Sequence, residues 1–494
     1  MGRMTAARAL FSGLALGLAA LAGACGAEGK DAAPRKNVIL ITLDTTRADY
    51  LSCYGYPEAS TPNLDRLASE GTRFDLAVAT ASVTPVSHAS ILTGLYNHEH
   101  RLRVLYADGG YRLPEDVDTL ATVLQREGYR TIAVHSAFPV SSFFGFERGF
   151  EVFEDFDAEI VEKKDAKDGW DVQTFQRRSD VTTDMVEKRL GAEPFFLWIH
   201  YWDPHDEAKK PPEDQLPPEV TQATDKIARA LAMYAAEIRY MDGQIGRLFD
   251  TLRAKGLYDD TLIVVVADHG QGLLDHDWPT HRLLYQEQIR VPLIARVPGV
   301  AQRPVVGELV RTVDIFPTVL DYLGVPLEGA VSGRSLRPLI EGRTDEPRTA
   351  FADQINGFDA NADIGKNRPL DDFLYMAMDK EWKLIYRPLD PAKSELFHVA
   401  EDPKETVNRY AEEPEEARRL LELLAERAPW VTEPFAGLEH DENAQAALGD
   451  LGYVEGETSD ATFAWTCPAH MELRFEERGP CPECGKPPIP VRAE

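Results

Sequence analysis

Three stretches far apart in the chain carry residue types that together could do ester chemistry. Asp44 directly follows an apolar run at residues 38–43. A carboxylate at the end of a buried strand is costly unless it meets a cation or hydrogen-bond donors; taken alone it reads better as a surface-loop residue, and Asp49 in the same loop reads as structural. Asp268-His269-Gly270 directly follows a second run, residues 262–267. Adjacent Asp and His at a strand end can both turn toward one cation, Gly270 permits a tight turn, and mixed oxygen and imidazole ligands suit a borderline divalent ion. Such a pair also arises by chance. Between these two stretches lies TPVSHASILTG at residues 84–94, in which Thr84 fits an N-cap, Pro85 the first helical position and Gly94 the stop. A hydroxyl there faces unpaired N–H groups and the positive end of the helix dipole, an environment that binds a tetrahedral oxyanion. The plainer alternative is a threonine that only caps its helix.

Histidines gather around the same strand ends. The chain has 12, and five of them, His200, His205, His269, His276 and His281, follow the runs at 195–199 and 262–267. His205 and His281 are candidates for contact with a substrate oxyanion or leaving group, and His276 reads as structural. His88, His200 and Asp203 are candidates for a second ion or for substrate, with Asp203, His205 and His281 as one possible two-ion set beside the first. In the tail, Cys467-x2-His470 and Cys481-x2-Cys484 form two ligand pairs at turn spacing. Four N/S ligands suit tetrahedral zinc, and the segment resembles a small heavy-metal-binding domain; a disulfide with a spare Cys is the alternative.

The elements that must position these groups are visible as periodicity. Unbroken Val/Ile/Leu runs at 38–43, 131–134, 195–199, 262–267 and 291–297 suit strands buried on both faces, as in a parallel sheet. Helical signals lie between them: Thr61-Pro62 opens a helix that Gly71 ends, and Leu231, Tyr234, Ile238, Met241, Ile245, Leu248 and Leu252 form an amphipathic stripe stopped near Gly256. This predicts an α/β domain, a three-layer α/β/α sandwich around a mostly parallel sheet, over residues 37–345. Beyond it, runs at 373–378 and 382–386 flank Asp379-Lys380-Glu381 as an antiparallel hairpin, and 415–427 is a helix. The expected order is therefore an α+β subdomain at 346–454, a linker at 455–464 and the metal-binding tail at 465–494.

The N-terminus stands apart. Arg3 and Arg8 precede an apolar, small-residue run at 9–24 that ends Leu21-Ala22-Gly23-Ala24-Cys25. It resembles a bacterial lipoprotein signal (residues 1–25) with Cys25 as the lipidated residue, followed by a tether at 26–36; an ordinary cleaved signal is the alternative. A lipid there would hold the protein at a membrane surface, and Gly26 in place of Asp points to the periplasmic side of the outer membrane. With 53 Lys and Arg against 82 Asp and Glu, the formal charge is −29, which excludes a nucleic-acid binder because the phosphate backbone would repel it.

From residue 37 to 453 the chain resembles a sulfatase of the alkaline phosphatase superfamily. The matching stretches are 37–49 (NVILITLDTTRAD), 61–71 (TPNLDRLASEG), 87–94 (SHASILTG), 194–205 (PFFLWIHYWDPH), 265–272 (VVADHGQG), 290–294 (RVPLI), 314–318 (DIFPT), 333–339 (GRSLRPL) and 395–408 (ELFHVAEDPKETVN). The resemblance implies a divalent metal (Ca/Mg or Zn/Mn) on Asp44, Asp268 and His269, residue 84 as nucleophile, and His205 and His281 near the substrate oxyanion. It also shows departures. Thr84, Val86 and His88 stand where such sulfatases have Cys or Ser that becomes formylglycine, then Pro, then Arg; Thr45 replaces a second Asp; His135-Ser136 replaces a sulfate-contacting Lys. Threonine cannot become formylglycine by that route, whereas related phosphodiesterases and phospho-group transferases use a metal-bound Thr. The expected function is hydrolysis of a small-molecule, lipid or glycan sulfate or phosphate ester, with phosphate slightly favoured. A membrane-surface transferase and a non-catalytic metal- or glycan-binding lipoprotein are the competing readings.

Overall fold

The unbroken apolar runs become strands because both faces of each are covered. All seven residues are buried in β1 (Asn37–Leu43) and, further along the chain, in β6 (Thr261–Ala267). The computed structural model describes residues 36–56, 59–102, 112–156, 175–191, 194–205, 209–357, 362–432 and 460–493. With β2 (Thr72–Val78), β3 (Arg130–Val134), β4 (Val152–Glu154), β5 (Phe195–Tyr201), β7 (Arg290–Arg296) and β8 (Val305–Arg311), these strands form one eight-stranded sheet in the order β4-β3-β5-β1-β6-β7-β2-β8. Helices cover it, giving a three-layer α/β/α sandwich with a mostly parallel sheet.

The register of the central strands places the chemistry. β1 lies between β5 and β6, parallel to both, with Leu43 opposite Tyr201 on one side and Ala267 on the other. The residues that follow, Asp44, Trp202-Asp203 and Asp268, therefore emerge at one edge, where open α/β sheets bind ligands. The parallel expectation fails at β7, which runs antiparallel to both β6 and β2. An unbroken apolar strand reports burial on two faces and says nothing of direction. Strands β2 and β8 were not legible as runs because Arg73, Asp75 and Glu308 interrupt them.

The stripe helix is longer than its apolar stripe, Lys226–Ala254, capped by the Asp225 side chain on Ala228 N and ending just before Gly256 (φ +67°). After β8, β9 (Ala350–Ile355), β10 (Phe373–Met378), β11 (Trp382–Tyr386) and β12 (Glu395–His398) build an antiparallel sheet in the order β12-β11-β10-β9, backed by the helix Pro414–Arg427. The tail adds β13 (Phe463–Cys467), β14 (His470–Phe475) and β15 (Ile489–Arg492), ordered β14-β13-β15. β13 begins at Phe463, two residues inside the expected linker. The pattern changes near 345 and 460 are changes of architecture within one compact unit that starts at Lys36. Among the described residues no helix is long and apolar enough to cross a membrane; the signal segment and Cys25 lie outside the described residues.

Candidate active site

The sheet ladder continues past the strand ends and fixes the two carboxylates. Asp44 N donates to Tyr201 O (2.9 Å) and Asp268 N to Leu43 O (3.4 Å). Asp268 Oδ1 accepts from Thr45 N (3.1 Å) and His269 N (2.7 Å). Asp44 Oδ2 accepts from His200 Nε2 (3.0 Å). The second oxygens, Asp44 Oδ1 and Asp268 Oδ2, are buried and receive no hydrogen bond from any described residue. Thr84 is the first residue of the helix Thr84–Thr93, and Val83 takes the cap position. The N-cap assignment is thus one residue out, and the Thr84 side chain does not cap. Its Oγ instead lies 3.3 Å from His269 Nε2. Ser87 Oγ donates to Asp268 O (2.6 Å), tying this helix to the end of β6. Asp44, Thr84, Asp268 and His269 are all fully buried, and one ligand atom from each of Asp44, Asp268 and His269 falls within 4.8 Å of the others.

The electrostatics of this cluster are unbalanced. Burial, and then the neighbouring Asp44 charge, hold Asp268 well above the usual carboxylate range. Burial also raises Asp44, although the imidazoles of His205, His269 and His88 pull it back. His269 is pushed down to about 4 and His88 to about 3, in both cases mainly by burial, so both rings are neutral. His269 Nδ1 donates to Gly270 O (2.9 Å), which leaves the Nε2 lone pair facing Thr84 and, at 3.4 Å, Asp268 Oδ2. Two adjacent buried carboxylates with unused oxygens, beside an imidazole lone pair, are costly without a cation. A divalent ion would balance both charges and use all three atoms, so these residues fit one.

The surrounding groups divide into supports and lining. His200 accepts from Ser136 N at Nδ1 (3.3 Å) while its Nε2–H holds Asp44, so it orients a carboxylate and offers no lone pair to an ion or substrate. Asp203 is turned away. It accepts from Ser179 N (3.1 Å) and Ser179 Oγ (2.7 Å) at the start of the helix Ser179–Arg189, and burial pushes its carboxyl up to about 7. The second ion considered for Asp203, His205 and His281 is therefore not assembled, because its only carboxylate is spent on a helix end. The His281 ring lies 4.7 Å from that of His269 and 5.5 Å from that of His205, which stacks on Trp202 at 3.7 Å. His281 Nδ1 donates to Ser82 O (2.9 Å). His88 Nδ1 donates to Thr84 O (2.8 Å) and sits 3.5 Å from Asp268 Oδ2. His135 is held by Ala137 O and Asp155. His276 has Glu287 Oε1 at Nδ1 (3.1 Å) and Glu405 O at Nε2 (3.2 Å), and Asp49 pairs with Arg47 (2.7 Å); both are structural.

Some contributors were invisible to pattern reading. Tyr234, read as part of an apolar stripe, donates its hydroxyl to Thr45 O (2.6 Å) and accepts from Arg47 N (2.9 Å), pinning the loop after Asp44. Gly270 is needed for a close approach and not for a turn, since a Cβ there would meet Glu287 O at 2.0 Å. The excursion carrying His281 holds five non-glycine residues at positive φ: Leu273, Leu274, His276, Asp277 and Arg282. Backbone strain of this kind persists only where the surroundings impose it, and it clusters at functional sites.

Comparison with known proteins fits this geometry. The family model described as Sulfatase matches residues 36–325, and one described as N-sulphoglucosamine sulphohydrolase, C-terminal, matches 274–428. An N-acetylglucosamine-6-O-sulfatase of Bacteroides thetaiotaomicron is 25% identical, with 84% of this chain and 90% of the relative covered. An arylsulfatase of Clostridium perfringens is 27% identical, covering 78% and 94%. The phosphonate monoester hydrolase of Agrobacterium radiobacter shares the fold, with a TM-score of 0.64 at 22% identity over 80% of this chain and 96% of that one.

Proposed function

The chain belongs to the sulfatase family and is a hydrolase of sulfuric or phosphoric esters, and on that premise we propose that Thr84 is its nucleophile and that a phosphoester or phosphodiester is its preferred substrate. The observation that carries this reading is the placement of the Thr84 hydroxyl: buried, at a helix N-terminus, and 3.3 Å from His269 Nε2 beside two unsatisfied carboxylate oxygens. Members of this family depend on a divalent metal, and here Asp44, Asp268 and His269 would hold it. When bound, such an ion supplies charge stabilisation and lowers the pKa of an oxygen it touches.

The chain's own groups supply the rest. Thr84 Oγ, its proton given up to solvent, bonds to phosphorus while the ester P–O bond breaks. His205, lining the approach, gives the departing oxygen its proton, while His281, a neutral ring whose Nδ1–H is held by Ser82 O, lines the pocket beside it. The amides at the start of the helix Thr84–Thr93 face the oxygens on which charge develops. Water then cleaves the Thr84–phosphoryl bond and restores the hydroxyl. His88, standing where the family resemblance places Arg, is a neutral ring bonded to Thr84 O, and His135, where it places Lys, is taken up by Ala137 O and the Asp155 carboxylate. Without a free positive charge at those two positions, a monoanionic diester suits the site better than a dianionic monoester. A sulfated glycan is the second reading, favoured by the relative named for N-acetylglucosamine 6-sulfate and aligned over 84% of this chain. In either case the lipoprotein signal ending at Cys25 would present the enzyme from the periplasmic face of the outer membrane.

The test is the purified full chain with Zn, Mn, Ca or Mg, assayed on aryl sulfate, phosphate monoester and phosphodiester beside Thr84→Ala. Equal turnover by the variant would remove Thr84 as nucleophile. Activity on aryl sulfate with Ca alone, and none on phosphate esters, would return the chain to sulfate chemistry.

A further inference from the structure

The tail Cys/His cluster lies in a part of the chain outside both family matches, and its geometry discriminates between its possible partners. Cys467 Sγ and Cys484 Sγ are 3.6 Å apart, and His470 Nδ1 is 3.3 Å from Cys481 Sγ. Four such atoms, all within 4.8 Å of one another, match a tetrahedron, since metal–sulfur bonds of about 2.3 Å imply sulfur separations of about 3.8 Å. The backbone is shaped for it. Cys481 N donates to Lys486 O (2.9 Å) and Gly485 N to Cys481 O (2.7 Å), with Gly485 at φ +72°, which closes a knuckle around Cys481 and Cys484. Ala469 N points at Cys467 Sγ (3.4 Å).

The same strands are pressed against the rest of the protein. Trp465 and Ile489 share one apolar cluster with Phe373, Tyr386, Leu420 and Trp430. The Phe463 and Phe373 rings meet edge to face at 5.1 Å. Tyr386 Oη donates to Pro490 O (2.5 Å) and Arg492 N to Pro388 O (2.8 Å). Cys467 ends the strand that carries Trp465, and the knuckle leads directly into the strand that carries Ile489. The three strands have 5, 6 and 4 residues and belong to a tail of about 30 residues, a size at which a core of its own is usually supplemented by a staple. A carrier of metal needs ligands that a recipient can reach, whereas here Cys467 and Cys481 are buried and only Cys484 is exposed.

We propose that one zinc ion, held by Cys467, His470, Cys481 and Cys484, clamps the β13–β15 sheet onto the β9–β12 sheet, so that the tail is a fixed structural part of the enzyme and not a mobile metal carrier. This holds whether or not Thr84 is the nucleophile, and its test does not pass through ester hydrolysis. The full chain is loaded with Co(II), whose sulfur-to-metal charge-transfer absorption reports the thiolate site and is silent for Asp44, Asp268 and His269. Hydrogen exchange is then measured on β10, β11 and β13 in the zinc-loaded wild type, in Cys484→Ser and in Cys481→Ser. The expected result is the thiolate band in the wild type, its loss in Cys481→Ser together with one metal equivalent per chain, and faster exchange in all three strands. Cys484→Ser, altered at the exposed ligand, keeps the fold testable if Cys481→Ser does not accumulate. A wild type with no thiolate band, or with a Cys467–Cys484 disulfide by intact mass, overturns the site. A band lost without any change in exchange overturns the clamp.

Discussion

The cluster at Thr84 and the cluster in the tail both gather ligand-type side chains, yet they are built in opposite ways. Asp44, Thr84, Asp268 and His269 come from two central strands and a helix, and reach one another only because β1 and β6 pair in register and Ser87 ties the helix to β6. That scaffold closes around two unsatisfied carboxylate oxygens, so here the fold imposes the site and bears its cost. The tail ligands come from two local turns on a small three-stranded sheet, and there the ion would secure the fold. A third group separates geometry from residue type. His276, Glu287 and Glu405 also lie within ligand distance of one another, but His276 already meets Glu287 Oε1 and Glu405 O, and Lys383 pairs with the Glu405 carboxylate at 2.7 Å, so these groups are served by one another.

The largest test of this contrast is at the active site. Thr84→Ala should lower kcat/KM by at least about 10³-fold with the fold intact. Asp268→Asn should also abolish turnover, yet it should raise the melting temperature of the metal-free protein, by an amount worth about 1–3 kcal/mol, because it removes the cost of burying that carboxyl, whether met as a charge or by taking up a proton, while the acceptor for Thr45 N and His269 N remains. A metal-free variant less stable than the wild type would break the claim that the fold bears the cost of the site. In the tail the sign reverses. Cys481→Ser should lose stability in zinc, by about 3 kcal/mol when zinc is present at 100 times its Kd, with the active-site metal unchanged by elemental analysis. Next in size, His200→Ala should weaken active-site metal affinity about 10–100-fold, since it removes the group orienting Asp44. The smallest effect belongs to His276. Burial alone would lower its pKa, but the Glu287 carboxylate raises it above 6.5. The stabilisation is therefore complete below pH 6.5 and fades as pH rises through the higher folded value. His276→Gln should flatten the stability profile in that window and leave it unchanged on the alkaline side.

Much of the scaffold was legible. The apolar runs marked β1, β3, β5, β6 and β7, and the residues just past them included Asp44 and Asp268-His269, because strand ends in a parallel sheet share one edge. Direction was not legible in β7, whose apolar run is the same read either way. Roles that depend on a partner distant in the sequence were hidden as well. Asp203 and His200 are ligand-type residues whose capacity is taken up by Ser179 and by Asp44, partners 24 and 156 residues away. Tyr234 counted as apolar surface because its hydroxyl finds its partners only across the fold. The tail was readable for the converse reason, its ligand spacing being local; that Trp465 and Ile489 bury against Tyr386 and Trp430 was not.

The reversal of β7 reaches beyond topology. Because it returns beside β6, residues 268–289 leave the sheet and re-enter it at the same rim, anchored at Asp268 and His269 and pinned midway where His281 meets Ser82. Neither strand depends on that length to pair, and its tip is exposed at Leu274-Asp275 and Pro279-Thr280, where added flexible length costs only about 0.6 kcal/mol of closure entropy per doubling. Insertions there could reshape what the enzyme accepts while leaving its reactive atoms in place, so this rim is where a lineage could acquire new substrates without rebuilding its chemistry.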